Sequence, residues 1–132
     1  MMIDHIFLTV SDMDRSHAFY LAALRPLGMH HTYDYDGANG PAGHPDLRGF
    51  GDGNKYSLWL RSGVADPGAV HVGFAAKTDA DVDAAYAAAI AAGATDNGTP
   101  GERTYYAPGY YAGNVLDPDG YSIEFIHEAS HD

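Results

Sequence analysis

The chain contains no cysteine. That absence excludes disulfides, thiolate nucleophiles and sulfur-rich zinc sites, leaving histidine and carboxylate as the side-chain ligands available to a metal. It also suits a reducing compartment. Basic residues are scarce, with 7 Lys and Arg against 18 Asp and Glu, for a formal charge of −11. So acidic a chain is repelled by phosphate backbones and anionic lipids, so neither a nucleic-acid nor a membrane partner is expected. Long apolar runs are missing too. Met1-Met2-Ile3-Asp4-His5 has no basic n-region and no sustained apolar stretch, so the expectation is a cytoplasmic protein without secretion signal or membrane span. Tryptophan occurs once, as Trp59. With 45% apolar content, 132 residues suit one compact domain with a real core.

What is present is a sentence said twice. His5-Ile-Phe-Leu-Thr-Val opens the first half and His71-Val-Gly-Phe-Ala-Ala the second, each followed fifteen residues later by a tyrosine, Tyr20 and Tyr86. Each half closes on a matching segment, Tyr56-Ser57-Leu58-Trp59-Leu60 and Tyr121-Ser122-Ile123-Glu124-Phe125. His5 to Trp59 spans 54 positions and His71 to Glu124 spans 53. Two histidines and one carboxylate thus fall at equivalent points of a duplicated unit, and the fourth such point holds tryptophan.

Period-two alternation over residues 3–10 predicts a strand with Ile3, His5, Phe7 and Thr9 on one face and Ile6, Leu8 and Val10 on the packing face. Ser11 with Asp14 reads as a helix-start box, followed by Met13, Tyr20, Ala23, Leu24 and Leu27 at helical spacing before Gly28. The second half repeats the order: a strand over about 69–76, Thr78 with Asp81, then Val82, Tyr86, Ala89 and Ile90 before Gly93. Residues 29–36 read as extended, 37–45 as a Gly/Pro loop, and 47–51 and 55–61 as short strands. Asp117-Pro118-Asp119-Gly120 is placed for a turn between two strands. Each half is therefore expected to be β-α-β-β-β, with a linker over 62–68. A unit of some 65 residues is marginal alone, so the two modules are expected to share a core.

If a pseudo-twofold brings the first strands side by side, His5 and His71 approach and Glu124 joins them from a neighbouring strand. Two imidazoles and one carboxylate on one side of a divalent ion leave coordination positions open, as a catalytic metal requires. The bland alternative for each histidine is packing or ordinary hydrogen bonding. His17 reads as helix surface, His30 and His31 as adjacent residues pointing opposite ways, His44 as loop, and His127 and His131 as near a mobile terminus. Phe7 and Thr9 share the His5 face, and Ser57, Trp59 and Arg61 share another. Trp59 as core filler and as substrate-lining group stand level. Arg103, Tyr105, Tyr110 and Tyr111 sit in a loop where a lid and plain surface exposure are equally open. A cationic Arg48, Arg61 or Arg103 beside a cup would favour an anionic small substrate.

The segments Ile3-Asp4-His5-Ile6-Phe7-Leu8-Thr9-Val10-Ser11-Asp12, Ser16-His17-Ala18-Phe19-Tyr20, His71-Val72-Gly73-Phe74 and Asp117-Pro118-Asp119-Gly120-Tyr121-Ser122-Ile123-Glu124 resemble the vicinal oxygen chelate superfamily. That superfamily includes glyoxalase I, fosfomycin-resistance thiol transferases, extradiol dioxygenases and bleomycin-resistance proteins. Pro108-Gly109-Tyr110-Tyr111 resembles a segment of its small bacterial glyoxalase-like members. The resemblance implies an α+β fold of two paired βαβββ modules, about 1–66 and 69–128 of a single domain 1–132, forming a half-open mixed β-barrel cup with flanking helices. It further implies a divalent metal ion (Zn, Ni, Fe or Mn) on His5, His71 and Glu124. Glu124 is then also the catalytic base, acting on a small-molecule substrate with vicinal oxygens as a metal-dependent lyase, isomerase or dioxygenase. Substrate contacts are expected from Phe7, Thr9, Trp59, Arg103 and Tyr111, and the protein is expected to be a homodimer. Two departures stand out. Trp59 occupies the point where glyoxalase I usually has a carboxylate ligand, and nothing basic but histidine follows Arg103, where the thiol transferases carry an arginine. A metal-free ligand-binding module of the bleomycin-resistance type, an extradiol dioxygenase and a thiol transferase remain alternatives. Whether module one pairs with module two of its own chain or of a neighbour also stays open.

Overall fold

The computed structural model describes residues 2–129, so His131 lies outside the described residues. The first half runs β1 (Ile6–Val10), α1 (Met13–Leu24), β2 (His31–Tyr35), β3 (Leu47–Gly51) and β4 (Tyr56–Ser62). The second runs β5 (His71–Ala75), α2 (Asp79–Ala91), β6 (Thr95–Asp96), β7 (Gly101–Glu102), β8 (Tyr110–Leu116) and β9 (Ser122–Glu128). The first sheet has the order β1-β4-β3-β2, and the second β5-β9-β8-β6 with β7 also on β8. In each, the opening strand lies parallel to the closing one and the remaining pairs are antiparallel. The duplication is therefore real at the level of topology, and the two sheets remain unclosed and cup-like.

Local chemistry explains most boundaries. Thr78 caps α2 by accepting from the Asp81 N–H at 3.1 Å, as the sequence box predicts. At α1 the box slips by one residue: Asp12, not Ser11, accepts from the Arg15 N–H at 3.1 Å. Ser11 is drawn away by Asp119, which accepts from both its backbone N–H and its hydroxyl. The turn after α1 ends on Gly28, at φ 80°, a left-handed conformation that glycine adopts without a Cβ clash. The single second strand expected of module two is split into β6 and β7. Between them lie Gly98, at φ 139°, and Pro100, which has no N–H to give a ladder.

The two helices pack on each other, α1 against β4 and α2 against β8 and β9, and so cover one face of each sheet. Leu8, Val10, Phe50, Leu58 and Leu60 from the first sheet join Phe74, Val115, Ile123 and Phe125 from the second in one buried cluster. Each large apolar side chain buried there stabilises the fold by about 1.5–3 kcal/mol before conformational entropy is counted. Tyr20 sits at the junction, its ring 6.4 Å from Phe50 and 6.5 Å from Phe74, and its hydroxyl donates to Asp117. Burial pushes the Asp117 carboxyl above its usual range, partly offset by the hydrogen bonds it accepts. Tyr121 donates to the Thr9 carbonyl at 2.6 Å and Arg15 pairs with Asp119 at 3.1 Å, so the β8–β9 turn clamps the start of the first module.

With the helices on one face, each sheet leaves its other face open. Period-two alternation decides what appears there: His5, Phe7 and Trp59 on the first, and His71, Ser122 and Glu124 on the second. No described helix is long and apolar enough to cross a membrane.

Candidate functional site

The open faces form two separate hollows with no residue in common. One, of about 660 Å³, is polar and includes His71, Asn114, Ser122, Glu124 and Arg103. The other, of about 560 Å³, includes His5, Phe7, Tyr56, Trp59, Leu47 and Lys55.

In the polar hollow the strand register brings the chemistry together. β5 runs parallel to β9 with His71 level with Ser122 and Gly73 level with Glu124. Glu124 Oε1 meets His71 Nε2 at 3.0 Å. His71 Nδ1 lies 2.8 Å from Ser122 Oγ, and the Tyr110 hydroxyl donates to Glu124 Oε2 at 2.5 Å. A carboxylate accepts, so the imidazole carries a proton on Nε2, and in the neutral ring Nδ1 accepts from the serine hydroxyl. Glu124 is only 8% exposed, which makes these partners obligatory for a buried carboxylate. Burial, and then the bond to Glu124, drive the Tyr110 phenol far above the ordinary tyrosine range.

The other hollow is built on the same register with different residues. Phe7 is level with Trp59, and Trp59 is in turn opposite Gly49 on β3. A Cβ on Gly49 would fall 2.6 Å from the Trp59 ring, so the indole lies directly over that glycine. Tyr56 and Tyr33 flank the ring at 5.7 Å and 6.5 Å. His5 stands one residue ahead of β1, its Nδ1 2.6 Å from Asp4, which also pairs with Lys55. Lys55 first, then His5, hold the Asp4 carboxyl below its usual range. As Asp4 accepts, Nδ1 carries a proton and Nε2 has no protein partner among the described residues.

Of the residues singled out from sequence, His71, Glu124 and Arg103 thus share one hollow, and His5, Phe7 and Trp59 share the other. Thr9 accepts from Arg61 Nε at 2.8 Å on the His5 face. Tyr111 goes elsewhere: one step along β8 from Tyr110, it points to the helix side and donates to Asp83 at 2.6 Å, which raises its own phenol to about 12. Ser122 and Tyr110 are the contacts of His71 and Glu124 that emphasis on ligands underrates, and strand alternation from Glu124 and Asn114 was the available signal. Other histidines also differ from expectation. The rings of His30 and His31 stack at 4.8 Å, because β2 begins only at His31 and strand alternation does not govern the pair. His17 is half-buried against Phe50 at 5.3 Å. His127 is held within β9, 2.8 Å from Asp79.

This geometry has relatives. The family model of the Glyoxalase/Bleomycin resistance protein/Dioxygenase superfamily matches residues 2–125. The chain belongs to that superfamily. Among solved structures, a glyoxalase/bleomycin resistance protein from Albidiferax ferrireducens is 28% identical, with a TM-score of 0.72, over 96% of this chain and 99% of that one. A glyoxalase/bleomycin resistance protein/dioxygenase family enzyme from Burkholderia phytofirmans is 19% identical, with a TM-score of 0.67, over 96% and 98%. A possible glyoxalase from Bacillus cereus is 24% identical, with a TM-score of 0.63, over 96% and 98%. The last two are likenesses of fold. No curated protein matches the sequence. Members of the superfamily typically use a divalent metal, bind small molecules and often form dimers.

Tested against that metal, the donor types fit, since imidazole nitrogen and carboxylate oxygen suit Zn, Ni, Fe or Mn. Their placement in a single chain does not. Only His71 and Glu124 meet, His5 faces the other hollow, and among the described residues no three His, Asp or Glu side chains gather as a ligand set.

Proposed function

We propose that this glyoxalase-superfamily chain is the protomer of a metal-dependent homodimeric enzyme whose site is completed between copies. His71 and Glu124 of one copy and His5 of the other would form the His/His/Glu set. The observation that carries the reading is the His71–Glu124 contact at 3.0 Å in one hollow, with His5, its Nε2 without a protein partner among the described residues, in a different one. Each hollow holds what the other lacks. A divalent ion, when bound, supplies Lewis-acid polarisation of vicinal substrate oxygens. The chain's own part is separable: Ser122 fixes the His71 ring, Tyr110 fixes Glu124, and Glu124 Oε1 is the atom at which a substrate proton would be taken up. Phe7 and Trp59 would wall the substrate from the facing copy, with Thr9 at the edge of that wall, while Tyr111 holds β8 to α2. Elemental analysis of protein purified without a histidine tag is the test. Stoichiometric divalent metal, lost in His71→Ala, is expected, and metal-free native protein contradicts the reading.

A second reading is favoured by a specific observation: both ring nitrogens of His71 and both oxygens of Glu124 already have protein partners. The chain would then be a metal-free binding module, with the Trp59 hollow sequestering an apolar ligand. Quenching of Trp59 fluorescence by ligand, indifferent to chelators, separates this reading from the first.

A further inference from the structure

Three arginines stood as candidates for meeting an anion, and the structure separates them. Arg48 pairs with Asp14 at 3.0 Å and lies 3.9 Å from Asp34. Arg61 is committed to the Thr9 hydroxyl. Arg103 alone lines the polar hollow with His71 and Glu124. Its loop is tightly built: the Arg103 N–H donates to the Tyr110 carbonyl at 2.7 Å, and the Tyr106 N–H returns to the Arg103 carbonyl at 2.9 Å. The guanidinium folds back on that loop, Nη1 donating to the Gly101 carbonyl at 3.2 Å and Nη2 to the Thr99 carbonyl at 2.9 Å. Among the described residues no carboxylate lies within ion-pair distance of it, in a chain where acids outnumber bases 18 to 7.

The position relative to Glu124 follows from contacts. Arg103 Nη2 lies 3.3 Å from where a Gly98 Cβ would be, the Asn114 side chain touches the same point at 3.5 Å, and Asn114 is directly opposite Glu124 across β8 and β9. Gly98 is itself bonded to Asn114, whose N–H donates to the Gly98 carbonyl at 2.8 Å, so the cation lies about two strand spacings from the carboxylate, about 10 Å. A small molecule of a few carbons, hydrogen-bonded at each end, bridges that distance.

We infer that Arg103 anchors the carboxylate of a small monoanionic acid whose remaining oxygens face His71 and Glu124. This names the substrate class of the site proposed above and rests on reading that hollow as the substrate site. A monoanion follows from the charge balance. Arg103 is the lone fixed cation in a hollow that already holds Glu124, and a guanidinium fork matches one carboxylate bidentately, whereas a phosphate dianion needs further cations.

The test is a nuclear magnetic resonance titration of the intact, chelator-treated protein with pyruvate, methyl pyruvate and inorganic phosphate, following the Arg103 Nε–H and His71 ring signals. Because no metal is present, its outcome is independent of the elemental analysis that tests the metal reading. Saturable shifts of both signals with pyruvate, absent with methyl pyruvate, are expected. Arg103→Met should abolish them, and Arg103→Lys, which keeps the charge but loses the fork, should weaken binding by about tenfold. Should Arg103→Met fail to fold, the Lys variant and the methyl ester still decide. Equal binding of pyruvate and its ester, undiminished binding by Arg103→Lys and Arg103→Met, or phosphate binding more tightly than pyruvate would each overturn the inference.

Discussion

The two hollows are copies of one plan, and three exchanged residues make one polar and the other aromatic. At the centre of the first stands Trp59, with Phe7 on its parallel neighbour and Gly49 on its antiparallel neighbour. At the centre of the second stands Glu124, with Gly73 on the parallel side and Asn114 on the antiparallel side. Trp59 lies over Gly49, whereas Glu124 reaches His71. The altered word of the repeat is thus not one residue but a coordinated set of three. Its effect is to give one half of the chain an acid-base pair and the other an aromatic wall beside the His5 imidazole.

The largest effect is expected from forcing the first hollow into the pattern of the second. Phe7→Gly with Trp59→Glu should cost about 2–4 kcal/mol in urea unfolding, because the aromatic cluster is lost before a His5–Glu contact compensates. Unchanged stability would show that the aromatics are decoration. Gly49→Ala should cost about 1–3 kcal/mol by driving the new methyl into the indole, with most of that recovered in Gly49→Ala/Trp59→Leu. A penalty that persists in the double variant would place the strain elsewhere. On the polar side, Tyr110→Phe should cost about 1–1.5 kcal/mol by leaving one oxygen of buried Glu124 without its donor. The same variant should remove one strongly alkaline tyrosine step from an absorbance titration while the Tyr111 step near 12 persists.

The smallest effect concerns pH. Burial, reinforced by Arg48, lowers the His17 pKa below its usual 6.5, so the native state prefers neutral imidazole. The stability this contributes is fully present above 6.5 and is lost as pH falls through the folded value. His17→Gln should flatten unfolding stability across that acidic window and leave it unchanged above. An equally steep pH dependence in the variant would assign the slope to other groups.

Much of this is legible in the sequence. The strand over 47–51, the Thr78 cap and the shared face of Ser122 with Glu124 follow from alternation and hydrogen-bonding chemistry that act over a few residues. The slipped cap at Asp12 was not legible, because the competitor for Ser11 is Asp119, more than a hundred residues away. Nor was the separation of His5 from His71. Alternation tells which face a histidine takes, not how two sheets are set about their shared core, and here packing around Tyr20 leaves the open faces as distinct hollows. Tyr111 illustrates the sharpest limit, since one residue of register decides whether a tyrosine reaches Glu124 or Asp83.

Complementation between inactive copies tests most directly whether the hollows are halves of one site. His5→Ala and Glu124→Ala proteins should each bind no divalent metal, and unfolding and refolding them together in equal amounts should restore about a quarter of the wild-type metal content, from one intact site in each mixed dimer. No recovery in the mixture from well-folded dimers, or full metal retention by His5→Ala alone, would contradict a site shared between copies.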